Sequence, residues 1–259
     1  MPRYPSRSGS SSSFSFGPGQ ISTALKTLIG LNVVMFLATT FMPSLQIQLG
    51  LVPMWVIRDK RVWQLVTYMF IHAGLFHIIF NMLGLWMFGA ELERIWGTRF
   101  FLKFYFITGI GAACLTVLIS LLPFGPTQQL YASDIVGASG AVYGLLLAYA
   151  LYFPDRPIYM YFLFPIPARI FVLIMGAMAL YASMAEGSGG VANATHLGGI
   201  LVAYVYLTLL RKGPRIQLNP WAEVKYRYVK WQLAKARKRF DVHEGGRSGG
   251  PGRWDGRVH

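Results

Sequence analysis

The chain has 259 residues, 54% of them hydrophobic and only 13% charged, a balance that argues against an ordinary soluble domain of this size. Its net charge of +14 raises nucleic acid as a partner, but more than half of the basic residues lie from Arg211 onward, past the last apolar block; that pattern fits a cytoplasmic tail against anionic lipid at least as well. A single cysteine, Cys114, rules out an intrachain disulfide or a cysteine metal cluster.

Residues 1–20 are rich in Ser and Gly, carry Arg3 and Arg7, and read as a disordered, weakly basic leader. A bilayer-spanning helix needs about 20 mostly apolar residues. The block Ile21–Met42 meets that length and ends without a small-residue cleavage site, so it reads as a retained first span rather than a signal peptide. The connection from Pro43 to about His72 mixes Trp55, Arg58, Lys60, Arg61 and Trp63 with apolar residues, which suits a segment lying in the membrane interface. Further spans are predicted at Leu75–Leu92, Phe100–Leu122, Val136–Phe153, Ile170–Ser183 and Val191–Leu210. The polar stretch Pro123–Asp134 separates the third from the fourth, and the Pro-rich stretch Phe164–Pro167 gives the fifth a non-helical entry. Cys114, inside the third span, reads as a small packed residue. The fold expected is an all-α membrane protein, a bundle of six transmembrane helices with a long interfacial first loop.

Six spans put both termini on one side, and the distribution of Lys and Arg chooses which. Arg94, Arg99 and Lys103 lie between the second and third spans, Arg156 and Arg169 between the fourth and fifth, and the tail is strongly basic. The stretches Pro123–Asp134 and Met184–Gly190 contain neither residue. Both termini are therefore predicted to be cytoplasmic, and only Arg58, Lys60 and Arg61 run against the rule. The division expected is a leader at 1–20, the six-helix domain at 21–211, a basic segment at 212–243 and a disordered Gly/Arg-rich tail at 244–259. The basic segment alternates Trp221, Tyr226, Tyr228 and Trp231 with Lys and Arg, as in an amphipathic helix on anionic lipid headgroups. Such mixtures also stack on RNA bases, but beside so many spans no nucleic acid is expected.

Polar groups at membrane depth are costly and mark function by default. His72, His77 and Asn81 stand at or in the second span, Ser139 at the start of the fourth, and His196 in the sixth. His77 and Asn81 are four residues apart and share a helix face, as do Ser139 and Tyr143. Gly140, Gly144 and Ala148 form a small-residue stripe, and Gly199 and Ala203 form another; such stripes let helices approach closely. Close approach of the fourth and sixth spans brings His196 to Ser139, where a neutral imidazole can take the proton of an otherwise weak nucleophile. No Asp or Glu lies in either span to orient the imidazole. The expectation is a Ser-His dyad with Tyr143 stacked on the histidine, and with the Ser139 amide, His77 and Asn81 as oxyanion donors.

These residues resemble the rhomboid family. His72-x4-His77-x3-Asn81 is similar to its His-x4-His-x3-Asn pattern, Gly137-Ala138-Ser139-Gly140 to its serine motif, and His196 with Gly199 and Ala203 to its Ala-His-x2-Gly-x3-Gly pattern. Gly89-x3-Glu93-x3-Gly97 also resembles a family motif, and Trp63 lies in a stretch like the long first loop. The likeness covers roughly residues 25–210. It implies an intramembrane serine endopeptidase of the bacterial six-span type, in the cell membrane, with no metal and no cofactor, cutting transmembrane proteins near their outer ends. Ser139 would be the nucleophile, His196 the base, and Glu93 a structural hydrogen bonder. The sequence departs from the family at Thr195, which stands between Ala194 and His196, at Ala203 in place of the last Gly, and at Gln64 after Trp63. The alternatives are an inactive rhomboid-like protein that binds membrane clients and a proton-coupled transporter.

Overall fold

The computed structural model describes residues 21–123, 125–160, 164–184 and 188–210, together with residues 228, 229, 231, 232 and 235. Helix α1, Thr23–Phe41, begins at Ser22, whose hydroxyl accepts from the Leu25 amide at 3.1 Å and caps the helix. The expected interfacial connection resolves into three short helices, α2 (Ser44–Leu49), α3 (Pro53–Arg58) and α4 (Gln64–Thr67), followed by a 3₁₀ turn at Tyr68–Phe70. Tertiary hydrogen bonds hold these pieces together. Buried Gln64 accepts from the Val52 amide at 3.1 Å and donates to the Gln48 carbonyl at 3.2 Å, and Thr67 donates to the Leu49 carbonyl at 2.6 Å.

Helix α5 (Leu75–Trp96) runs four residues beyond the span predicted from hydropathy, and helix α6 (Thr98–Ile119) starts two residues earlier and ends three residues earlier than predicted. One residue separates them. Gly97 at φ 75° adopts the left-handed conformation, ends α5 with its amide on the Glu93 carbonyl, and starts α6 in a new direction. Residues Phe101, Phe104, Tyr105, Thr108, Ala112 and Thr116 of α6 are buried at helical spacing. Cys114 lies off that stripe and is exposed, so it is not the packed residue expected from the sequence.

The connection Pro123–Asp134 contains a short helix, α7 (Gly125–Ala132). Helix α8, Ser139–Tyr152, starts three residues later than its apolar block. An antiparallel hairpin, β1 (Pro157–Met160) and β2 (Phe164–Pro167), stands where a non-helical entry was expected, pairing Ile158 with Ile166. Helix α9 (Ala168–Met184) and helix α10 (Ser188–Val205), which ends in a π turn at Tyr206–Leu210, complete the bundle.

By length and composition α1, α5 and α6 are each able to cross a bilayer, and α9 is a shorter apolar helix. At 14 residues α8 is about 21 Å long, less than the roughly 30 Å of a hydrocarbon core. It packs against α5, α6, α9 and α10 and buries residues all round, from Gly140 to Ala150, as a helix does at the centre of a bundle. Large apolar side chains of α1, α5 and α9, among them Val34, Phe41, Phe76, Phe80, Leu173 and Met178, face outward; an exposed apolar surface this extensive is a lipid-facing surface.

At one end of the bundle, buried Glu93 accepts from the Ser22 hydroxyl at 2.5 Å and the Thr98 hydroxyl at 2.6 Å, tying the starts of α1 and α6 to α5. Residues 216–259 form a separate unit. In it the Tyr228 and Trp231 rings stack 6.2 Å apart, with the Lys235 ammonium 5.0 Å from the Trp231 ring. The leader, the tail from residue 244 and most of the basic segment lie outside the described residues.

Candidate active site

The site is assembled where the segment before α8 meets the first loop. Leu51 and Ile135 exchange backbone hydrogen bonds at 2.8 and 2.9 Å, and the Gly137 amide donates to the Tyr68 carbonyl at 2.9 Å. Gln46 donates to the Asp134 carboxylate at 3.0 Å. Pinned in this way, the chain passes Gly137 at φ 122°, a conformation that L side chains rarely adopt. A Cβ there would also stand 2.7 Å from His77 Nε2 and 3.5 Å from Ser139 Oγ. Glycine is thus required twice, for its backbone angle and for space.

Ser139 is the first residue of α8, so its amide belongs to the helix N-terminal group that lacks intrahelical acceptors. Its hydroxyl lies 2.7 Å from His196 Nε2 on α10. Tyr143, one turn along α8, stacks on the His196 ring with centroids 4.4 Å apart and planes 5° from parallel. The other ring nitrogen, His196 Nδ1, is buried and has no hydrogen-bond partner among the described residues. The imidazole is therefore held by a hydroxyl on one side and a ring face, without a carboxylate behind it.

The two helices can come this close because both crossing residues are glycine. A Cβ on Gly199 would run into the Gly140 carbonyl oxygen. Gly140 in turn lies against Ala112 and the Tyr68 hydroxyl, where its Cβ would find atoms at 3.0 and 3.2 Å. Gly144 belongs to a different contact, since its Cβ would meet Thr108 of α6 at 2.9 Å. Ala203 is fully buried further along α10.

On α5, the Ala73 amide donates to His77 Nδ1 at 3.4 Å. A neutral imidazole that accepts at Nδ1 carries its proton on Nε2, the atom that lies against Gly137, two residues before Ser139. His72, buried, meets the His77 ring edge-on at 5.1 Å. Asn81 is buried, and its amide donates to the His77 carbonyl at 2.8 Å, within its own helix. Ser139, His196, Tyr143 and His77 thus converge, Asn81 sits one turn behind, and Glu93 lies toward the other end of α5.

Sequence reasoning missed Tyr68, whose carbonyl holds Gly137 and whose buried hydroxyl donates to the Gly109 carbonyl at 2.7 Å. An interfacial tyrosine carries no pattern that signals such a role. It also treated Thr195 as a departure only, whereas the Thr195 hydroxyl meets that of Thr116 on α6 at 2.9 Å.

A family model of the Rhomboid domain matches residues 59–213, more than half of the chain. The chain is 30% identical over 167 residues to RHOMBOID-like protein 12, mitochondrial, of Arabidopsis thaliana, covering 60% of this chain and 48% of that one. It is 31% identical over 142 residues to Rhomboid protein 1, mitochondrial, of Saccharomyces cerevisiae, covering 53% and 38%. It is 30% identical over 148 residues to Rhomboid protease GluP of Bacillus subtilis, covering 56% and 25%. The chain spans about half the length, or less, of these relatives. Its helical membrane bundle and the matched domain together establish that the chain belongs to the rhomboid family.

Proposed function

We propose that this protein is an intramembrane serine endopeptidase that works through a Ser139–His196 dyad. The observation that carries this reading is the 2.7 Å contact between Ser139 Oγ and His196 Nε2, on two helices whose sequence positions are 57 apart, with Tyr143 parallel to the imidazole. The name of the Bacillus relative, a protease, supports hydrolysis as the chemistry.

In this mechanism Ser139 Oγ attacks the scissile carbonyl while His196 Nε2 takes its proton. The carbonyl oxygen, now an oxyanion, receives the Ser139 amide and His77 Nε2–H. Both act beside the positive end of α8. The imidazolium then gives its proton to the leaving amine, which frees an acyl-enzyme. Water, deprotonated by the same imidazole, adds to the acyl carbon; the bond to Ser139 Oγ breaks, the imidazolium returns its proton to that oxygen, and the second product leaves. The Asn81 side-chain amide gives one N–H to the His77 carbonyl and has a second for the same oxyanion. Tyr143 confines the ring to one plane, the task that an orienting carboxylate performs in a triad.

The substrates proposed are transmembrane proteins, cut near their outer ends. All six long helices would lie within the bilayer, with both termini cytoplasmic, as the Lys and Arg asymmetry implies. A bacterial plasma membrane and headgroup binding by the segment 212–243 are part of the same reading.

The test is labelling of the detergent-solubilised protein with a serine-reactive fluorophosphonate. Label is expected on the wild type, absent from Ser139→Ala and strongly reduced in His196→Ala. Label that persists in Ser139→Ala overturns the assignment.

A further inference from the structure

Thr195 immediately precedes His196 on α10 and is buried, yet it has a polar partner. Its hydroxyl oxygen lies 2.9 Å from that of Thr116 on α6, which is buried too. Thr116 already donates its proton to the Ala112 carbonyl at 2.8 Å. A hydroxyl has one proton, so Thr116 accepts from Thr195, and the chain runs Thr195 to Thr116 to the Ala112 carbonyl. Every hydroxyl proton in it is used.

The same spot is where three helices meet. A Cβ on Gly198 would lie 3.3 Å from Ala112 Cα, and one on Gly140 would lie 3.0 Å from Ala112 Cβ and 3.5 Å from Thr195 Cγ2. Contacts between Gly and Ala set how closely helices approach. They set rotation poorly, because their surfaces are smooth. A hydrogen bond is directional. Successive side chains on a helix point about 100° apart, so fixing Thr195 toward α6 also fixes where His196 points. Nothing polar behind the imidazole does this, since its Nδ1 is unpartnered among the described residues. A rotation of α10 by about 10° would move a group some 5–6 Å from its axis by about 1 Å. A misplacement of that size costs roughly 100-fold in rate.

We propose that Thr195 and Thr116 are positioning residues, whose hydroxyl pair sets the rotation of α10 and so delivers His196 to Ser139. The proposal rests on the Ser-His reading above. The variants are Thr195→Val, Thr116→Val, the double Val variant and Thr195→Ser, each in the full chain. The readouts are the fluorophosphonate labelling rate, kcat and KM on a transmembrane peptide, and the melting temperature in detergent.

Each single Val variant is expected to lower the labelling rate and kcat about 10- to 100-fold, with KM little changed. Thr195→Ser restores most of the rate. The double variant leaves no buried hydroxyl unpaired, so it folds with a melting temperature near that of the wild type while staying as slow as either single variant. A double variant that labels at the wild-type rate overturns the proposal and leaves the dyad standing. So does a melting temperature that falls with kcat unchanged. Wild-type label that survives Ser139→Ala sinks the dyad itself, a separate outcome read in the same assay.

Discussion

At the residue scale, the site depends on which groups have partners and which do not. His196 Nε2 has Ser139, and Nδ1 has no partner among the described residues. A ring hinged on one hydrogen bond could tilt, and in the proposed mechanism the Tyr143 face, with planes 5° from parallel, opposes the tilt. Stacking of this kind is worth about 0.5–1.5 kcal/mol beyond area burial, a factor of about 2 to 12 in rate if all of it serves alignment. Tyr143→Ala should therefore lower kcat about 2- to 12-fold with the melting temperature little changed. Tyr143→Phe, which keeps the ring and drops the hydroxyl, should stay close to wild type. Turnover on a transmembrane peptide measures both, and wild-type turnover in Tyr143→Ala would remove the stacking role. Gly137 shows the limit of sequence reading at this scale. Its place in Gly137-Ala138-Ser139-Gly140 was visible, but its φ of 122° and its closeness to His77 depend on the Tyr68 carbonyl, 69 positions earlier.

At the element scale, apolar runs located the helices, and hydrogen bonds decided their ends. The first block, Ile21–Met42, became Thr23–Phe41, and the block Phe100–Leu122 became Thr98–Ile119. Both are long, continuous runs whose burial or lipid exposure is legible from hydropathy alone. The start of α8 was not legible. Val136 is as apolar as the helix that follows, but the Leu51–Ile135 bridge and the Tyr68–Gly137 hydrogen bond keep 135–137 out of the helix. That late start puts Ser139, rather than Val136, at the helix N-terminus. The three short helices of the first loop were equally hidden, because partners distant in sequence such as Gln64 and Gln48 hold them together, and the hairpin lies in a stretch expected only to be non-helical. The small-residue stripes predicted the α8–α10 approach but not its tightest point, which is one pair, Gly140 and Gly199. In Gly199→Ala the new methyl would meet a backbone carbonyl, which has no rotamer to yield. The helices must part or slide, at a cost of about 1–3 kcal/mol for overpacking. Displacement of His196 by about 1 Å should cost roughly 100-fold in labelling rate. Thermal denaturation and fluorophosphonate labelling check the two parts. Wild-type labelling by Gly199→Ala would mean that the crossing is looser than the glycine contact implies.

At the scale of the whole molecule, α5 separates the proposed chemistry from the anchorage. His77 stands near its start and Glu93 near its end, 16 residues and so about 24 Å apart along the axis. At one end His77 lies against Gly137, two residues before the serine; at the other, buried Glu93 takes the Ser22 and Thr98 hydroxyls and gathers α1, α5 and α6. Glu93→Ala would leave two hydroxyls without their acceptor and a gap where the carboxylate was. Hydrogen bonds to a charged group are worth about 1.5–3 kcal/mol each, with the larger figure reached when the partners stay buried. Ser22 and Thr98 are partly exposed, which favours the lower end for each bond, so the loss expected is about 3 kcal/mol of stability. Sites this far apart and without shared partners add independently. Glu93→Ala should therefore lower the melting temperature while the folded fraction labels at the wild-type rate, and Glu93→Ala/Tyr143→Ala should show the stability of the first and the turnover of the second. Turnover in the double variant well below that of Tyr143→Ala, measured on protein shown to be folded, would reveal that the two ends of α5 are coupled, and that the anchorage also shapes the site.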